Sequence, residues 1–88
     1  MWDDQYRALA DPQRRAILKR LRAAPLSAGD LAHGFDIGAS TLSHHLKLLK
    51  DADLVRCDKR GTQRMYALNT SVLEDLATDL LALRGVGG

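Results

Sequence analysis

The stretch Ala39-Ser40-Thr41-Leu42-Ser43-His44-His45-Leu46-Lys47-Leu48-Leu49-Lys50-Asp51 decides how the rest of the chain is read. At about 100° per residue from Leu42, Leu46 falls near 40° and Leu49 near 340°, a narrow apolar stripe. Ser40, His44, Lys47 and Asp51 fall opposite, between about 140° and 200°, with Ser43 and Lys50 near 100° and 80°. This is a helix with a leucine seam and an outward stripe of hydroxyl, imidazole and ammonium groups. Such a stripe suits a DNA major groove. Ser and Thr reach phosphates or bases, His44 donates or accepts at a base edge, and Lys47 reaches a phosphate or a guanine. His45, near 300°, lies beside the leucines and is expected to pack or to make a buried hydrogen bond. A solvated helix face carries the same residue types, so the flanking segments have to decide.

Upstream, Ser27-Ala28-Gly29-Asp30 resembles a capping box with Asp in place of Glu or Gln, and it opens a short helix carrying Leu31, Ala32 and Phe35. Phe35-Asp36-Ile37-Gly38 is a tight turn into the leucine-striped helix, so the pair forms a helix-turn-helix. Further back, Trp2, Tyr6 and Leu9 recur at i, i+4 and i+7 on a first amphipathic helix. Asp11-Pro12 restarts the chain as N-cap and first helical residue. That second helix is predicted to run to about Ala24, with Ile17, Leu18 and Leu21 inward, the basic residues from Arg14 to Arg22 mostly outward, and Pro25 as its stop.

Downstream the period changes. Leu54–Asp58 and Gln63–Leu68 read as strands flanking Lys59-Arg60-Gly61-Thr62, a hairpin with Gly where positive φ is needed. Lys59, Arg60 and Arg64 crowd its tip, where the fold itself has no use for three cations. A basic hairpin beside a recognition-type helix can lie on the backbone or enter the minor groove, and the two features in this order favour DNA. Ser71-Val72-Leu73-Glu74 is a full capping box that starts a final helix to about Arg84, and Gly85–Gly88 are expected to fray. The predicted fold is mainly α with a small β-hairpin, a winged helix-turn-helix in one domain spanning residues 1–84.

The totals agree. The chain has 88 residues, 45% hydrophobic and 27% charged, which suits one globular domain. A chain this short buries only about 60–65% of its extended surface, so association is the expected stabiliser. Cys57 is the sole cysteine, which excludes an internal disulfide. Neither a signal peptide nor a membrane span is evident, so a reducing, cytoplasmic setting is expected. The net charge is only +2, but residues 1–64 hold 12 Lys/Arg against 8 acids, while residues 65–88 set Arg84 against Glu74, Asp75 and Asp79. The basic front suits an anion and the acidic tail does not. No nucleophile–base spacing and no phosphate loop supports catalysis. On the last helix, counted from Val72, Leu83, Leu76, Leu80 and Leu73 spread over about 100°, and Ala77 and Leu81 widen the apolar arc to about 180°. One core does not need so broad a face. The excess is expected to meet a second subunit, with Trp2 and Tyr6 at its edge.

Several ordered blocks carry a family resemblance: Ala8-Leu9-Ala10-Asp11-Pro12-Gln13-Arg14-Arg15-Ala16-Ile17-Leu18, then Ser40-Thr41-Leu42-Ser43-His44-His45-Leu46-Lys47-Leu48-Leu49, then Ala52-Asp53-Leu54-Val55, then Gly61-Thr62-Gln63-Arg64-Met65-Tyr66-Ala67-Leu68. Over residues 6–83 the chain resembles the ArsR/SmtB family of bacterial winged-helix repressors, and within it the compact autorepressor subgroup related to the sporulation-delay repressor. The resemblance implies a homodimer through the first and last helices, using Trp2, Tyr6, Val72, Leu73, Leu76, Leu80 and Leu83. It also implies that Ser40, Thr41, Ser43, His44 and Lys47 face a pseudo-palindromic operator, flanked by Lys59, Arg60 and Arg64 of the wing. Asp53 departs from the family's usual Gly, and Asp tolerates the left-handed conformation at some cost. Metal-sensing members carry cysteines on the third helix or carboxylate and histidine ligands on the last. Here the third helix has no cysteine, and the last offers Asp75 and Asp79 without a histidine, too few for a tight transition-metal site. His33, His44 and His45 form no recognisable cluster. No metal, cofactor or small-molecule substrate is therefore expected, and the subgroup suggests control by promoter competition or by a sequestering protein. Two alternatives stand beside this reading: a redox-responsive repressor acting through Cys57, and a protein-interaction winged helix that does not read DNA.

Overall fold

A computed structural model describes residues 2–85. Its elements run α1 (Asp3–Leu9), α2 (Pro12–Arg20), β1 (Leu26–Ser27), α3 (Ala28–Ala32), α4 (Ala39–Asp51), β2 (Val55–Arg60), β3 (Gln63–Leu68) and α5 (Thr70–Ala82). The expected fraying of the last residues falls mostly on 86–88, outside the described residues.

Local chemistry places most boundaries. Asp11 caps α2, its Oδ1 accepting from the amides of Gln13 at 2.8 Å and Arg14 at 3.3 Å, and Pro12 takes the first helical position. Ser27 caps α3 by accepting from the Asp30 amide at 3.1 Å. α4 ends in a Schellman motif: the Asp53 amide donates to the Lys50 carbonyl at 2.9 Å and the Leu54 amide to the Leu49 carbonyl at 3.0 Å. Leu49 and Leu54, which bracket that motif, are fully buried. Asp53 holds φ 60° there, as the family departure implied.

Four expectations need correction. α2 stops at Arg20, short of Ala24, because its end tightens: the Leu21 amide reaches both the Ile17 and Leu18 carbonyls, and the chain then extends into β1. The hairpin is the larger part of a three-stranded antiparallel sheet, order β1-β3-β2, in which Leu26 pairs with Tyr66 and Ser27 with Met65. Two residues are too few to show a strand period. α5 begins at Thr70 with Asn69 as its N-cap, so Ser71–Glu74 form no capping box. The Asn69 amide is held by the Leu54 carbonyl at 3.0 Å, which sets the turn two residues early. Finally Leu76, expected between subunits, is buried in the chain's own core.

That core joins Ile17 and Leu18 of α2 with Leu21 at its C-cap, Leu31 of α3, and Leu42, Leu46 and Leu49 of α4. Leu54, Val55 and Tyr66 close it from the sheet side. α5 contributes only Leu76 as a buried residue, with Val72 and Leu73 half-buried, while Leu80, Leu81 and Leu83 stay exposed. The radius of gyration, 14.0 Å, exceeds the value of about 12 Å for a compact chain of this length.

Two predictions follow from these caps. Non-glycine residues in the left-handed region are strained by about 1 kcal/mol, more when β-branched. Thermal unfolding is therefore expected to rank Asp53→Gly above wild type and wild type above Asp53→Val; an inverted order would dismiss the strain. For Asp11, partial burial pushes its carboxyl up, but the Arg14 and Gln13 amides and the Arg14 charge outweigh this and hold it below its usual 3.8. A depressed carboxyl adds stability above its unfolded value, and that stability is lost as pH falls through the lower folded value. Asp11→Asn keeps a cap oxygen but cannot titrate. Urea midpoints measured from neutrality down to about pH 3 should fall less steeply for Asp11→Asn than for wild type.

Candidate nucleic-acid interface

The placement of α4 rests on Arg14. Its Nε donates to the Ala8 carbonyl at 2.7 Å and its Nη2 to the Arg7 carbonyl at 3.2 Å, closing the end of α1. Arg15 takes the Leu9 carbonyl at 2.7 Å. Cations thus sit at the negative end of the α1 dipole and satisfy carbonyls that the helix leaves free. The same Arg14 reaches α4, its Nη1 lying 3.2 Å from His45 Nδ1, and His45 Nε2 lies 3.0 Å from Gln13 Oε1. Arginine only donates, so Nδ1 accepts, the proton of the ring sits on Nε2, and that proton goes to Gln13. His45 is buried, as expected of it. Arg14 was read as facing outward; its side chain is only 13% exposed. Counted at about 100° per residue from Ile17, Arg14 falls near 60°, between Leu21 and Leu18, so the helical period already set it apart from Arg15, Lys19 and Arg22.

α1 also grips the far end of α4, where Gln5 Nε2 donates to the Ala52 carbonyl at 2.7 Å. On the preceding side, the Arg20 guanidinium caps α3 by donating to the Asp30 and Leu31 carbonyls, both at 3.2 Å, and lies over the Phe35 ring at 5.7 Å. A side chain at Gly34 would collide with it. The helix-turn-helix is therefore held by polar clasps as well as by its leucines.

With its apolar seam buried, α4 exposes Ser40, Thr41, Ser43, His44 and Lys47. Gly38 supplies its N-cap without a side chain, leaving first-turn amides suited to an anion. In the wing, Lys59 stands directly across from Arg64, and Arg60 from Gln63. The two-residue loop has φ 61° at Gly61 and no positive φ at Thr62, the pattern of a type II′ turn. By strand alternation Lys59 and Arg64 share the sheet face of Cys57 and Tyr66, and Arg60 lies on the other. Like charges directly opposite each other destabilise a sheet. A polyanion laid along that face would reverse the penalty.

An open groove of about 340 Å³ separates α4 from the wing, lined by Ser43, Leu46, Lys47, Lys50, Asp51, Arg64 and Tyr66. It brings together the expected Ser43, Lys47 and Arg64. Ser40, Thr41, His44, Lys59 and Arg60 are exposed outside its lining. Lys50 and Asp51 were absent from the expected set, although their angles placed them on the flank and the middle of the outward stripe. Tyr66 carried no signal, since its role depends on which sheet face meets α4. Burial pushes the Tyr66 hydroxyl up, and the Cys57 thiol directly across the ladder adds to this. Cys57 itself is half-buried.

Away from this groove, Tyr6 Oη donates to Asp79 Oδ2 at 2.7 Å and ties α1 to α5. That hydrogen bond, with partial burial, raises the Tyr6 hydroxyl. Asp79, half of the carboxylate pair on the last helix, is thus already engaged. Among the described residues no three His, Cys, Asp or Glu side chains are grouped to hold a metal ion. No helix among them is long and apolar enough to cross a membrane.

Comparison with known proteins agrees with this geometry. A family model described as a helix-turn-helix domain matches residues 9–58. The transcriptional repressor SdpR of Bacillus subtilis (strain 168) is 41% identical over 70 residues, covering 80% of this chain and 78% of its own. The HTH-type transcriptional regulator Rv2034 of Mycobacterium tuberculosis is 47% identical over 79 residues, covering 89% of this chain and 73% of its own. A crystal structure of an ArsR family transcriptional regulator superposes with a TM-score of 0.85 at 30% identity, covering 93% of this chain and 84% of that one. The chain belongs to the ArsR/SmtB family of winged-helix transcriptional repressors, and it is a DNA-binding regulator rather than an enzyme.

Proposed function

We propose that the chain acts as a cytoplasmic homodimer that recognises a pseudo-palindromic operator without a bound metal. The observation that carries this reading is the convergence of Ser43 and Lys47 of α4 with Arg64 of the wing around one groove. Ser40, Thr41, Ser43 and His44 discriminate bases along the exposed face of α4, while Lys47, Lys59, Arg60 and Arg64 supply salt-dependent affinity through phosphates. The dimer reading is supported by Leu80, Leu81 and Leu83, exposed at 45%, 53% and 80%, since soluble chains rarely leave neighbouring leucines of one helix uncovered. Tyr6 reaches α5 through Asp79, Trp2, Val72 and Leu73 are half-buried against the core, and Leu76 is withdrawn into it. A two-fold dimer would present its α4 helices to successive major grooves about 34–36 Å apart. Metal independence is supported by the residue content of α3 and α5, and control by promoter competition or by a sequestering protein follows from the subgroup the sequence resembles.

Selection from random duplex DNA, with chelator and reductant present, tests this reading. Enrichment of an inverted repeat with half-sites about 10–11 base pairs apart is the expected result; a motif that emerges only with added metal or oxidant would refute it. On the selected duplex, Lys59→Ala with Arg60→Ala should weaken all sequences alike and flatten the dependence of affinity on salt. His44→Ala should instead relax base preference at a fixed position, and a variant with full preference would move the reading to another side chain.

A further inference from the structure

The groove between α4 and the wing contains one residue that works against an anion. Asp51 lines it with Ser43, Lys47, Lys50 and Arg64, and its Oδ2 lies 2.7 Å from Lys47 Nζ. Helix stability does not account for this carboxylate. Asp51 is the last residue of α4, at the negative end of the helix dipole, where an acid is disfavoured. The pair also runs Lys before Asp at i, i+4, the weaker of the two orders. Both side chains are well exposed, at 72% and 57%, so solvent screens the pair and folding gains little from it.

We propose that Asp51 occupies Lys47 in place of a phosphate and so weakens the sequence-independent part of DNA binding. The inference rests on the DNA reading above. A backbone phosphate reaching Lys47 must displace the Asp51 carboxylate and then lie close to it. Any duplex bears that cost, because every duplex presents phosphates. Only a duplex that also satisfies the base-reading face of α4 offsets it. Asp51 therefore lowers affinity for all DNA by a common factor and leaves the operator-to-random ratio to the base-reading face of α4.

The test compares wild type, Asp51→Asn and Asp51→Glu on two probes: an inverted-repeat duplex selected with the wild-type chain, and a duplex of random sequence. For Asp51→Asn the random duplex should bind several-fold tighter, and the slope of log affinity against log salt should steepen by about 0.9, the effect of one added phosphate contact. The ratio of operator to random affinity should stay as in wild type. Asp51→Glu keeps the charge and should restore the wild-type slope, which a merely structural role would not require. In a Lys47→Ala background the steepening should vanish. Wild-type slope and random-duplex affinity in Asp51→Asn would overturn the proposal while leaving DNA binding intact. A wild-type chain that binds neither duplex would overturn the DNA reading itself.

Discussion

One guanidinium holds the reading head in place. Arg14 closes the carbonyl end of α1, pairs with the carboxylate that caps α2, and donates into the buried ring of His45 on α4. Hydrogen bonds from a charged donor contribute about 1.5–3 kcal/mol each, and a buried acceptor left unpaired costs a similar amount. The leucine seam of α4 sets which side of the helix is buried. The directional contact between Arg14 and His45 pins that orientation. Seam and clasp together fix which residues of α4 are turned to solvent, and therefore which ones can read a base.

Against this rigid centre, the two surfaces with no use inside a single chain stand out. The wing pairs Lys59 with Arg64 across a strand ladder, an arrangement that penalises the sheet in isolation. The last turn of α5 and its C-cap leave Leu80, Leu81 and Leu83 exposed. Each is a local cost without local compensation, and each is relieved by a different partner: the first by a polyanion, the second by an apolar surface such as a second copy. The Tyr6–Asp79 hydrogen bond fastens the first of the two helices expected at a subunit interface to the second. Any surface the pair presents is therefore presented as one body.

Asp51 belongs to the same logic. A regulator that searches a long polymer of phosphates gains from being less attracted to what it must ignore. A carboxylate placed in the reading groove is the simplest way to lower that attraction without touching the residues that discriminate bases.

The sequence by itself determined everything that depends on near neighbours. The Asp11-Pro12 start, the Ser27 cap, the leucine stripe of α4, the Gly61 turn and the buried His45 all follow from spacings of a few residues, where backbone geometry leaves few alternatives, while the left-handed Asp53 was implied by the family resemblance. Those features were enough for the fold and for the polar face of α4. Only the tertiary structure decided the rest. The clasp of Arg14 on His45, the two-residue strand β1, the early start of α5 and the withdrawal of Leu76 into the core each depend on a partner far along the chain. So does the meeting of Ser43, Lys47, Asp51 and Arg64 in one groove. A helical wheel shows which way a side chain points, but not which other element has been folded into its path.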